Sequence, residues 1–362
     1  MYDFIVVGGS QAGLAMGYHL KQLGFNFIIV DSADEIGRAW LSRWDSLTLF
    51  TPKKYNALPG MKFEGDREYP NKHDVADYLK RYVKTFDLPV QLNTKVLSVD
   101  KNADIYQVHT NTDVLQCRNL VVATGPFHTP FIPNFAKDIC SSIKQVHSRD
   151  YVSPAELNQG DTLVVGGGDS GVQILAEVAD SGCAAYSSGV TSTASLPQTL
   201  FGKTLWWWLK SLGILSLSRY SYLGKQIKKR MQPVIGTNVK ALLARDNVKA
   251  LGRTLSANGT ELTFSDAKVS SIKNIIWATG YKPDFSWLSG EGLEDIKFTD
   301  DGYPSNYRGI GDTQGMYFIG LPWMHTRGSA TLGGVGVDAQ YLAHHIAQQI
   351  QVADEELINC TV

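Results

Sequence analysis

Two short glycine-rich stretches decide the fold of this chain. Residues 4–13 read FIVVGGSQAG, and residues 161–171 read DTLVVGGGDSG. In each stretch an apolar, strand-like run leads directly into closely spaced glycines, and a helical pattern of apolar residues follows. A strand, a glycine turn and a helix in this order form the phosphate-binding part of a dinucleotide-binding βαβ unit. One such turn is a weak signal, but two copies with the correct continuation predict two dinucleotide sites.

The first unit has the residues that hold the ADP portion of a dinucleotide. Gly8 permits the tight turn, Ser10 stands where the second glycine of the fingerprint is expected, and Gly13 lets the helix pack closely on the strand. A second strand is predicted over residues 27–30, and Asp31 follows it at the position of the acid that binds ribose hydroxyls. The amides at the helix N-terminus are expected to bind the pyrophosphate.

The second unit repeats this arrangement with a complete G-x-G-x-x-G pattern. Gly166, Gly168 and Gly171 supply the glycines, and Ser170 lies between the last two. A helix is predicted over residues 172–178 and a strand over residues 184–187. We expect this unit to bind the pyrophosphate of the second dinucleotide.

The residues at the end of the second unit bear on the choice of nicotinamide nucleotide. An NAD site places Asp or Glu there, and an NADP site often places Arg. Here the chain has Ser187 and Ser188, which carry neither charge. We therefore expect these serines to line a site that accepts both NADH and NADPH.

Two further repeats bracket the second unit. Residues 120–125 and 275–280 each form an apolar strand that closes on Ala-Thr-Gly, which places Thr124, Gly125, Thr279 and Gly280 where strands meet a cofactor or a hinge. The predicted fold is therefore α/β, with two Rossmann-like three-layer dinucleotide-binding domains, the second inserted into the first. We expect residues 1–155 and 281–362 to form an FAD-binding domain and residues 156–280 to form an NAD(P)H-binding domain.

Composition excludes several other classes of protein. The chain has 362 residues, and its 34 Lys and Arg against 35 Asp and Glu give a net charge of −1, so no overall field attracts nucleic acid. Its four cysteines include no Cys-x-x-Cys pair, which argues against a metal site and a disulfide framework. Neither a signal peptide nor a transmembrane segment is recognisable, and we expect a cytoplasmic location.

The longest apolar stretch, residues 205–217, contains three consecutive tryptophans at positions 206–208. It is followed by a basic run composed of Lys225, Lys228, Lys229 and Arg230. We interpret this region as a helical cover packed over a cleft, with the tryptophans in the core or along a substrate channel. A membrane-surface patch is the alternative.

Motifs over nearly the whole chain resemble those of the two-dinucleotide-binding-domain flavoproteins. More narrowly, the chain resembles the small bacterial flavin-containing monooxygenases and their Baeyer–Villiger and plant auxin-forming relatives. Besides the two glycine turns, the resemblance rests on residues 36–40 (IGRAW), 50–52 (FTP), 123–125 (ATG), 196–197 (LP), 206–209 (WWWL), 278–285 (ATGYKPDF) and 317–323 (YFIGLPW).

The resemblance implies FAD in the first domain and NADPH or NADH in the second. It also implies that Arg38 and Trp40 lie along the flavin and its ribityl chain. The turn that contains Gly334 would start a helix near the carbonyl edge of the flavin, where its amides could stabilise negative charge. The implied reaction is hydride transfer to FAD, formation of a C4a-(hydro)peroxyflavin with O2, and oxygenation of a small sulfide, amine or ketone.

Four residues are candidates for contacts at the reacting groups. The resemblance implies that Phe50 stands over the flavin, where the family commonly has Asn, and Phe50 cannot form the hydrogen bond of that Asn. The family has the signature F-x-G-x-x-x-H at the hinge. His147 stands at the His position of this signature, whereas Ser141 and Ile143 stand at its Phe and Gly positions. His325 and Arg327 precede the last glycine turn and are expected to contact flavin or substrate, or else to support domain packing.

Three other functions share this architecture. A disulfide reductase would need a cysteine pair beside the flavin, and no cysteine precedes Cys117. An NAD(P)H oxidase or flavin reductase that releases hydrogen peroxide is the main alternative, and Phe50 and Ile143 favour it. A flavoprotein used for sensing would have little use for the second glycine turn. We expect a small-molecule substrate and O2 as partners, with a homodimer as a further expectation.

Overall fold

The computed structural model describes residues 1–190, 194–229 and 233–360. Arg230 of the basic run lies outside the described residues, as do residues 361–362 at the end of the expected FAD-binding domain. The helices are α1 (Gln11–Gln22), α2 (Arg38–Leu41), α3 (Lys72–Phe86), α4 (Asp169–Asp180), α5 (Leu205–Ser211), α6 (Tyr222–Lys229), α7 (Val239–Leu243) and α8 (Val335–Cys360).

The strands fall into two large sheets, a three-stranded antiparallel sheet and several short pairs. They are β1 (Tyr2–Val7), β2 (Phe27–Val30), β3 (Val90–Gln91), β4 (Val96–Asn102), β5 (Ile105–Thr110), β6 (Val114–Val122), β7 (Thr129–Pro130), β8 (Lys144–His147), β9 (Asp161–Val165), β10 (Ala185–Ser188), β11 (Ser195–Leu196), β12 (Thr199–Leu200), β13 (Lys203–Thr204), β14 (Val234–Ile235), β15 (Val248–Leu251), β16 (Thr254–Asn258), β17 (Glu261–Phe264), β18 (Lys268–Val269), β19 (Ile272–Trp277), β20 (Tyr281–Lys282), β21 (Asn306–Tyr307), β22 (Ile310–Gly311) and β23 (Met316–Phe318).

The first sheet has β1 at its centre. Its order is β21-β22-β23-β6-β1-β2-β3, and β1 runs parallel to both β2 and β6. The β4–β5 hairpin joins this sheet through β6. Because β1, β2 and β6 are parallel, the glycine turn after β1, Asp31 after β2 and Ala123 after β6 meet at one edge of the sheet.

The second sheet has the order β15-β10-β9-β19-β8, and its paired strands are all parallel within the described residues. It places the glycine turn after β9 beside Ala278, which follows β19. The edge strand β8 precedes residue 156 in the sequence, yet it pairs with β19 in this sheet. The second sheet therefore recruits a strand from upstream of the expected NAD(P)H-binding segment.

Buried side chains connect the two units. One core cluster surrounds the first sheet, and two further clusters pack on the faces of the second. Trp44 and Leu47 precede β3 in the chain, but they are buried in the same cluster as Val172 and Leu175 of α4. The first unit thus contributes apolar side chains to the core of the second.

The predicted fold class is confirmed by these two parallel-sheet units. The strand expected over residues 27–30 is β2, and β10 lies one residue later than predicted. The helix of the second unit begins at Asp169, three residues before the expected start.

Within the described part of the chain, no helix has the length and apolar character required to cross a membrane.

Substitution of Gly13 by Ala tests the close packing of α1 on the first glycine turn. A Cβ at this position would lie 1.8 Å from the carbonyl oxygen of Gly8, and backbone atoms cannot move away easily. We expect the free energy of unfolding, measured by urea denaturation, to fall by about 3 kcal/mol.

Gly65→Ala is the matched control, because its Cβ would meet no heavy atom within 4 Å. This variant should unfold close to the wild-type midpoint. Equal midpoints for Gly13→Ala, Gly65→Ala and the wild type would contradict the packing argument.

Candidate active site

The first glycine turn is shaped by close backbone approaches. Gly8 has a φ of +114°, and a Cβ there would lie 2.6 Å from the carbonyl oxygen of Ala123. Gly13 allows α1 to approach the carbonyl of Gly8, as described above. These contacts require glycine at both positions and bring the first turn of α1 to the end of β1.

Asp31 is held beside this turn by two backbone amides. Its Oδ2 accepts a hydrogen bond from Gly9 N at 2.5 Å, and its Oδ1 accepts one from Ala33 N at 2.8 Å. An ionised carboxylate has about four lone-pair sites, so acceptor capacity remains for ligand hydroxyls. The geometry therefore fits the expected ribose-binding role of Asp31.

The second glycine turn has the same construction. Gly166 has a φ of +127°, and its Cβ would lie 2.2 Å from the carbonyl oxygen of Ala278. The Cβ of an alanine at position 171 would lie 2.2 Å from the carbonyl oxygen of Gly166. A Cβ at Gly168, in contrast, would meet no heavy atom within 4 Å, so this side of the turn is open.

Both helix N-termini can receive an anion. Ser10 and Gly168 are the N-cap residues of α1 and α4, and within the described residues neither helix has a side-chain cap. The hydroxyl of Ser10 donates to Gln11 Oε1 at 2.6 Å instead. The first-turn amides of both helices therefore have no side-chain acceptor among the described residues. The open space at Gly168 is the space that a bound pyrophosphate would need.

Trp40 lies near the start of α1, whereas Arg38 is engaged on the surface. Trp40 Nε1 donates to Gln11 Oε1 at 3.2 Å. Arg38 forms ion pairs with Asp34 at 2.7 Å and with Glu35 at 2.9 Å. The position of Trp40 fits the expected flavin site, and the role of Arg38 stays a prediction.

The two connections between the sheets pair with each other. β7 and β20 form a short antiparallel pair, and Phe131 N donates to Gly280 O at 2.9 Å. The hydroxyl of Thr279 donates to the carbonyl oxygen of Phe131. In the other connection, the hydroxyl of Thr124 is buried and has no hydrogen-bond partner among the described residues. Thr279 and Gly280 therefore stabilise the hinge, and Thr124, which precedes Gly125, retains an unpaired hydroxyl.

His147 belongs to the same hinge. Its Nδ1 accepts from Arg149 N at 3.1 Å, and its Nε2 lies 3.0 Å from Gly280 O. Because Nδ1 accepts, Nε2 must carry the proton that binds the carbonyl of Gly280, and the ring is neutral. Burial lowers the pKa of His147 and favours this neutral form. The structure thus gives His147 a role in fixing the hinge.

The loop before α8 interacts electrostatically with the start of α4. Arg327 of this loop and Asp169 at the start of α4 influence each other's ionisation. Burial raises the pKa of the Asp169 carboxyl and lowers the pKa of Arg327, while the charge of each partner opposes these shifts. A half-buried cation and a half-buried acid of opposite charge therefore interact electrostatically.

His325 of the same loop contacts a buried acid on α8. Its Nδ1 lies 3.9 Å from Oδ1 of Asp338, whose side chain is 2% exposed. Neither Asp338 oxygen nor His325 Nδ1 has a hydrogen-bond partner among the described residues. Burial raises the pKa of Asp338 and lowers the pKa of His325, which favours the uncharged form of both.

Gly334 is required by the turn at the start of α8. A Cβ there would lie 2.2 Å from the carbonyl oxygen of Gly328. The amides of Gly334 and Val335 both donate to Thr331 O, at 3.2 and 3.1 Å. These two amides already have an acceptor within the loop, and the proposed contact of this turn with flavin stays a prediction.

Phe50 lies at the boundary between the units. Its ring stacks on Trp206 with 6.0 Å between centroids, and Trp206 Nε1 donates to Phe50 O at 3.0 Å. Phe50 also lines a cavity of about 330 Å³ between residues 46–50 and α4. The expected cover therefore contacts the first unit at this candidate site.

Ser187 and Ser188 are buried at the end of β10. The Ser188 hydroxyl donates to Gly252 O at 2.9 Å and also lies within hydrogen-bonding distance of Thr254 N and Thr254 Oγ1. The structure directs this hydroxyl into the protein, where it joins β10 to β16. The Ser187 hydroxyl is buried and without a partner among the described residues.

Sequence reasoning missed Asp169 and Asp338. Asp169 lies inside the second glycine stretch. Its charge, at a variable position of the G-x-G-x-x-G pattern, is the feature of the sequence that could have drawn attention to it. Asp338 is a lone acid among apolar residues at the start of α8. Its burial could not be read from the sequence alone.

The family model described as pyridine nucleotide-disulphide oxidoreductase matches residues 5–195. An uncharacterized oxidoreductase of Bacillus subtilis (strain 168), CzcO, is 42% identical over 343 residues, which cover 94% of this chain and 98% of that protein. The probable indole-3-pyruvate monooxygenase YUCCA7 of Arabidopsis thaliana is 28% identical, over 95% of this chain and 87% of that protein.

Solved structures share the fold. A flavin-containing monooxygenase from Stenotrophomonas maltophilia superposes with a TM-score of 0.78 at 24% identity, covering 96% of this chain and 99% of that one. OTEMO in complex with FAD and NADP gives a TM-score of 0.71 at 18% identity, covering 97% of this chain and 85% of that one.

The chain belongs to the pyridine nucleotide-disulphide oxidoreductase family and is an enzyme of the oxidoreductase class. Its resemblance to the flavin-dependent monooxygenases is confirmed by the relatives in sequence and by the shared two-unit fold.

His147→Gln tests the neutral hinge histidine. Because burial lowers its pKa below 6.5, the unfolded chain binds a proton at higher pH than the folded chain. The stability due to the neutral ring is therefore present above pH 6.5 and is lost as the pH falls below it. We expect urea denaturation at roughly pH 7.5 and pH 5 to show a smaller acid-induced loss for the variant than for the wild type.

The other histidines are unchanged in both proteins, so their contributions cancel in this comparison. Parallel losses of stability in the variant and the wild type would contradict the assignment of a neutral His147.

Proposed function

We propose that the chain is an FAD-dependent monooxygenase that uses NADPH or NADH and O2 to oxygenate a small sulfide, amine or ketone. In this proposal, residues 1–155 and 281–362 bind FAD, and residues 156–280 bind the nicotinamide nucleotide, with β8 as a strand added from the first segment. The observation that carries the proposal is the pair of equivalent glycine turns, each open at an uncapped helix N-terminus.

In the first unit, the amides of α1 would bind the FAD pyrophosphate, and Asp31 would accept hydrogen bonds from the ribose. The two backbone contacts of Asp31 hold its carboxylate in place, so little entropy is lost on binding. Trp40 would pack along the cofactor at the start of α1. When bound, FAD supplies the two-electron chemistry that couples nicotinamide oxidation to the activation of O2.

In the second unit, the α4 amides and the open space at Gly168 would receive the nicotinamide nucleotide. Arg327 would then lie near both ligands and supply positive charge beside them. Phe50 and Trp206 would exclude water from the cleft. The OTEMO complex, in which FAD and NADP are bound by the same fold, supports the pairing of cofactors.

The cytoplasmic location and a homodimeric state complete the proposal. The first is consistent with the absence of a membrane-crossing helix among the described residues. Gel filtration with light scattering tests the homodimeric state.

Product analysis tests the proposed reaction. The purified chain should oxidise NADPH or NADH in the presence of a methyl aryl sulfide and ¹⁸O₂, and one labelled oxygen should appear in the sulfoxide. Hydrogen peroxide as the sole oxygen product would identify the oxidase alternative, which the apolar ring of Phe50 favours. Absence of NAD(P)H turnover would contradict both.

Gly168→Ala tests the open space at this turn as the nucleotide site, separately from folding. The backbone at this position has a φ of −81°, which any residue adopts, and the added methyl group would enter open space. We expect an unchanged melting temperature and an unchanged FAD content. The KM for NADPH and NADH should rise at least about tenfold, because the methyl group occupies the space of the pyrophosphate.

Gly65→Ala, which also adds a methyl group to open space, is the control and should leave both KM values unchanged. Equal KM values for Gly168→Ala and the control would exclude this space as the nucleotide site.

A further inference from the structure

The nearly neutral net charge of the chain hides a strongly basic region. Residues 181–245 contain nine Lys and Arg residues and no Asp or Glu. This stretch therefore carries a formal charge of +9, and the rest of the chain carries −10. Such segregation is a sign of a surface that meets a negatively charged partner.

Exposed apolar side chains are concentrated in the same region. Of the 20 large hydrophobic side chains exposed among the described residues, nine lie between residues 196 and 223. They are Leu196, Leu200, Phe201, Trp207, Leu212, Ile214, Tyr220, Tyr222 and Leu223. We call residues 195–229 the basic segment.

The basic segment is fixed to the protein along its inner side. Trp206 is bound to Phe50, as described above. Arg219 Nη1 donates to Trp323 O at 2.9 Å, and Arg219 N donates to His325 O at 2.7 Å. The exposed side chains are therefore held on an ordered scaffold that already covers the cleft.

Phe201 is the most informative residue of this surface. It lies in the turn of the β12–β13 hairpin and is 85% exposed. Its φ is +50°, in the left-handed region that favours Gly and Asn over aromatic residues. An aromatic residue at this turn costs backbone strain and leaves a large apolar surface in water, and a partner that buries the ring would offset both costs.

Aromatic and basic side chains are also adjacent at this hairpin. Phe201 contacts Trp208 with 6.5 Å between ring centroids, and Trp208 meets Trp207 at 4.8 Å. Lys203 Nζ lies 5.7 Å from the centre of the Trp207 ring. Aromatic rings beside lysines suit the interface of a bilayer, where the rings enter the headgroup region and the ammonium groups meet lipid phosphates.

We propose that the basic segment docks the protein on an anionic phospholipid surface, with Phe201 and its aromatic neighbours inserted and the lysines on the headgroups. A membrane is favoured over nucleic acid because the segment exposes aliphatic residues such as Leu212 and Leu223 beside the charges. The protein associates with the surface through this segment and does not cross the bilayer. The proposal does not depend on the reaction that the enzyme catalyses.

Sedimentation with lipid vesicles tests this proposal on the full chain. We expect binding to vesicles of about 70% phosphatidylcholine and 30% phosphatidylglycerol, weaker binding at high salt, and little binding to pure phosphatidylcholine. Phe201→Asn should weaken binding about tenfold. This variant should fold at least as stably as the wild type, since Asn tolerates the left-handed backbone.

Phe298→Asn is the matched control, because Phe298 is another exposed phenylalanine, 48% exposed and outside the basic segment. It should bind vesicles as the wild type does. The triple change of Lys210, Lys225 and Lys229 to Gln should weaken binding about 100-fold, because the loss of each lysine is expected to weaken it about fivefold. The same change at Lys84, Lys95 and Lys137, which are exposed elsewhere, alters net charge equally and should have little effect.

Several outcomes would overturn the proposal. These are no binding to anionic vesicles, equal binding to neutral and anionic vesicles, or equal weakening by the two triple variants. Tight binding of duplex DNA that Phe201→Asn abolishes would assign the surface to nucleic acid. Self-association that the same variant abolishes would assign it to a second copy of the chain.

Discussion

The structure depends on a close approach that occurs twice, between the first glycine of each turn and the strand that closes each unit. Gly8 meets the carbonyl of Ala123, and Gly166 meets the carbonyl of Ala278, at distances that exclude a Cβ. Each contact brings the end of a central strand, the N-terminus of the following helix and an Ala-Thr-Gly connection to one place. The proposed dinucleotide sites and the connections between the units thus share the same backbone contacts.

The hinge and the loop before α8 connect these two places. Hydrogen bonds between the connections, together with the neutral ring of His147, fix how the strands pass from one unit to the other. The charge of Arg327, in the loop before α8, acts on Asp169 at the second glycine turn. The basic segment then closes over the boundary through Trp206 and Arg219, with its outer face left to solvent.

Local patterns made much of this predictable. The strand–glycine–helix order and the position of Asp31 are encoded within about 30 residues, where propensity and spacing suffice. The pairing of β8 with the second sheet was not predictable, because a four-residue strand with little alternation gains its place only through long-range register. The electrostatic coupling of Arg327 with Asp169 and the burial of Ser188 likewise depend on tertiary packing. The tryptophan cover was predicted, whereas the exposure of Phe201 follows from a turn geometry that the sequence conceals.

We propose that the two glycine turns hold a flavin and a nicotinamide nucleotide close enough to react. Anaerobic mixing of the FAD-loaded chain with NADPH and, separately, with NADH, followed by visible absorbance, tests this proposal. We expect loss of the oxidised flavin absorbance with both nucleotides, at a rate that saturates with nucleotide concentration. Flavin absorbance that neither nucleotide changes would contradict it.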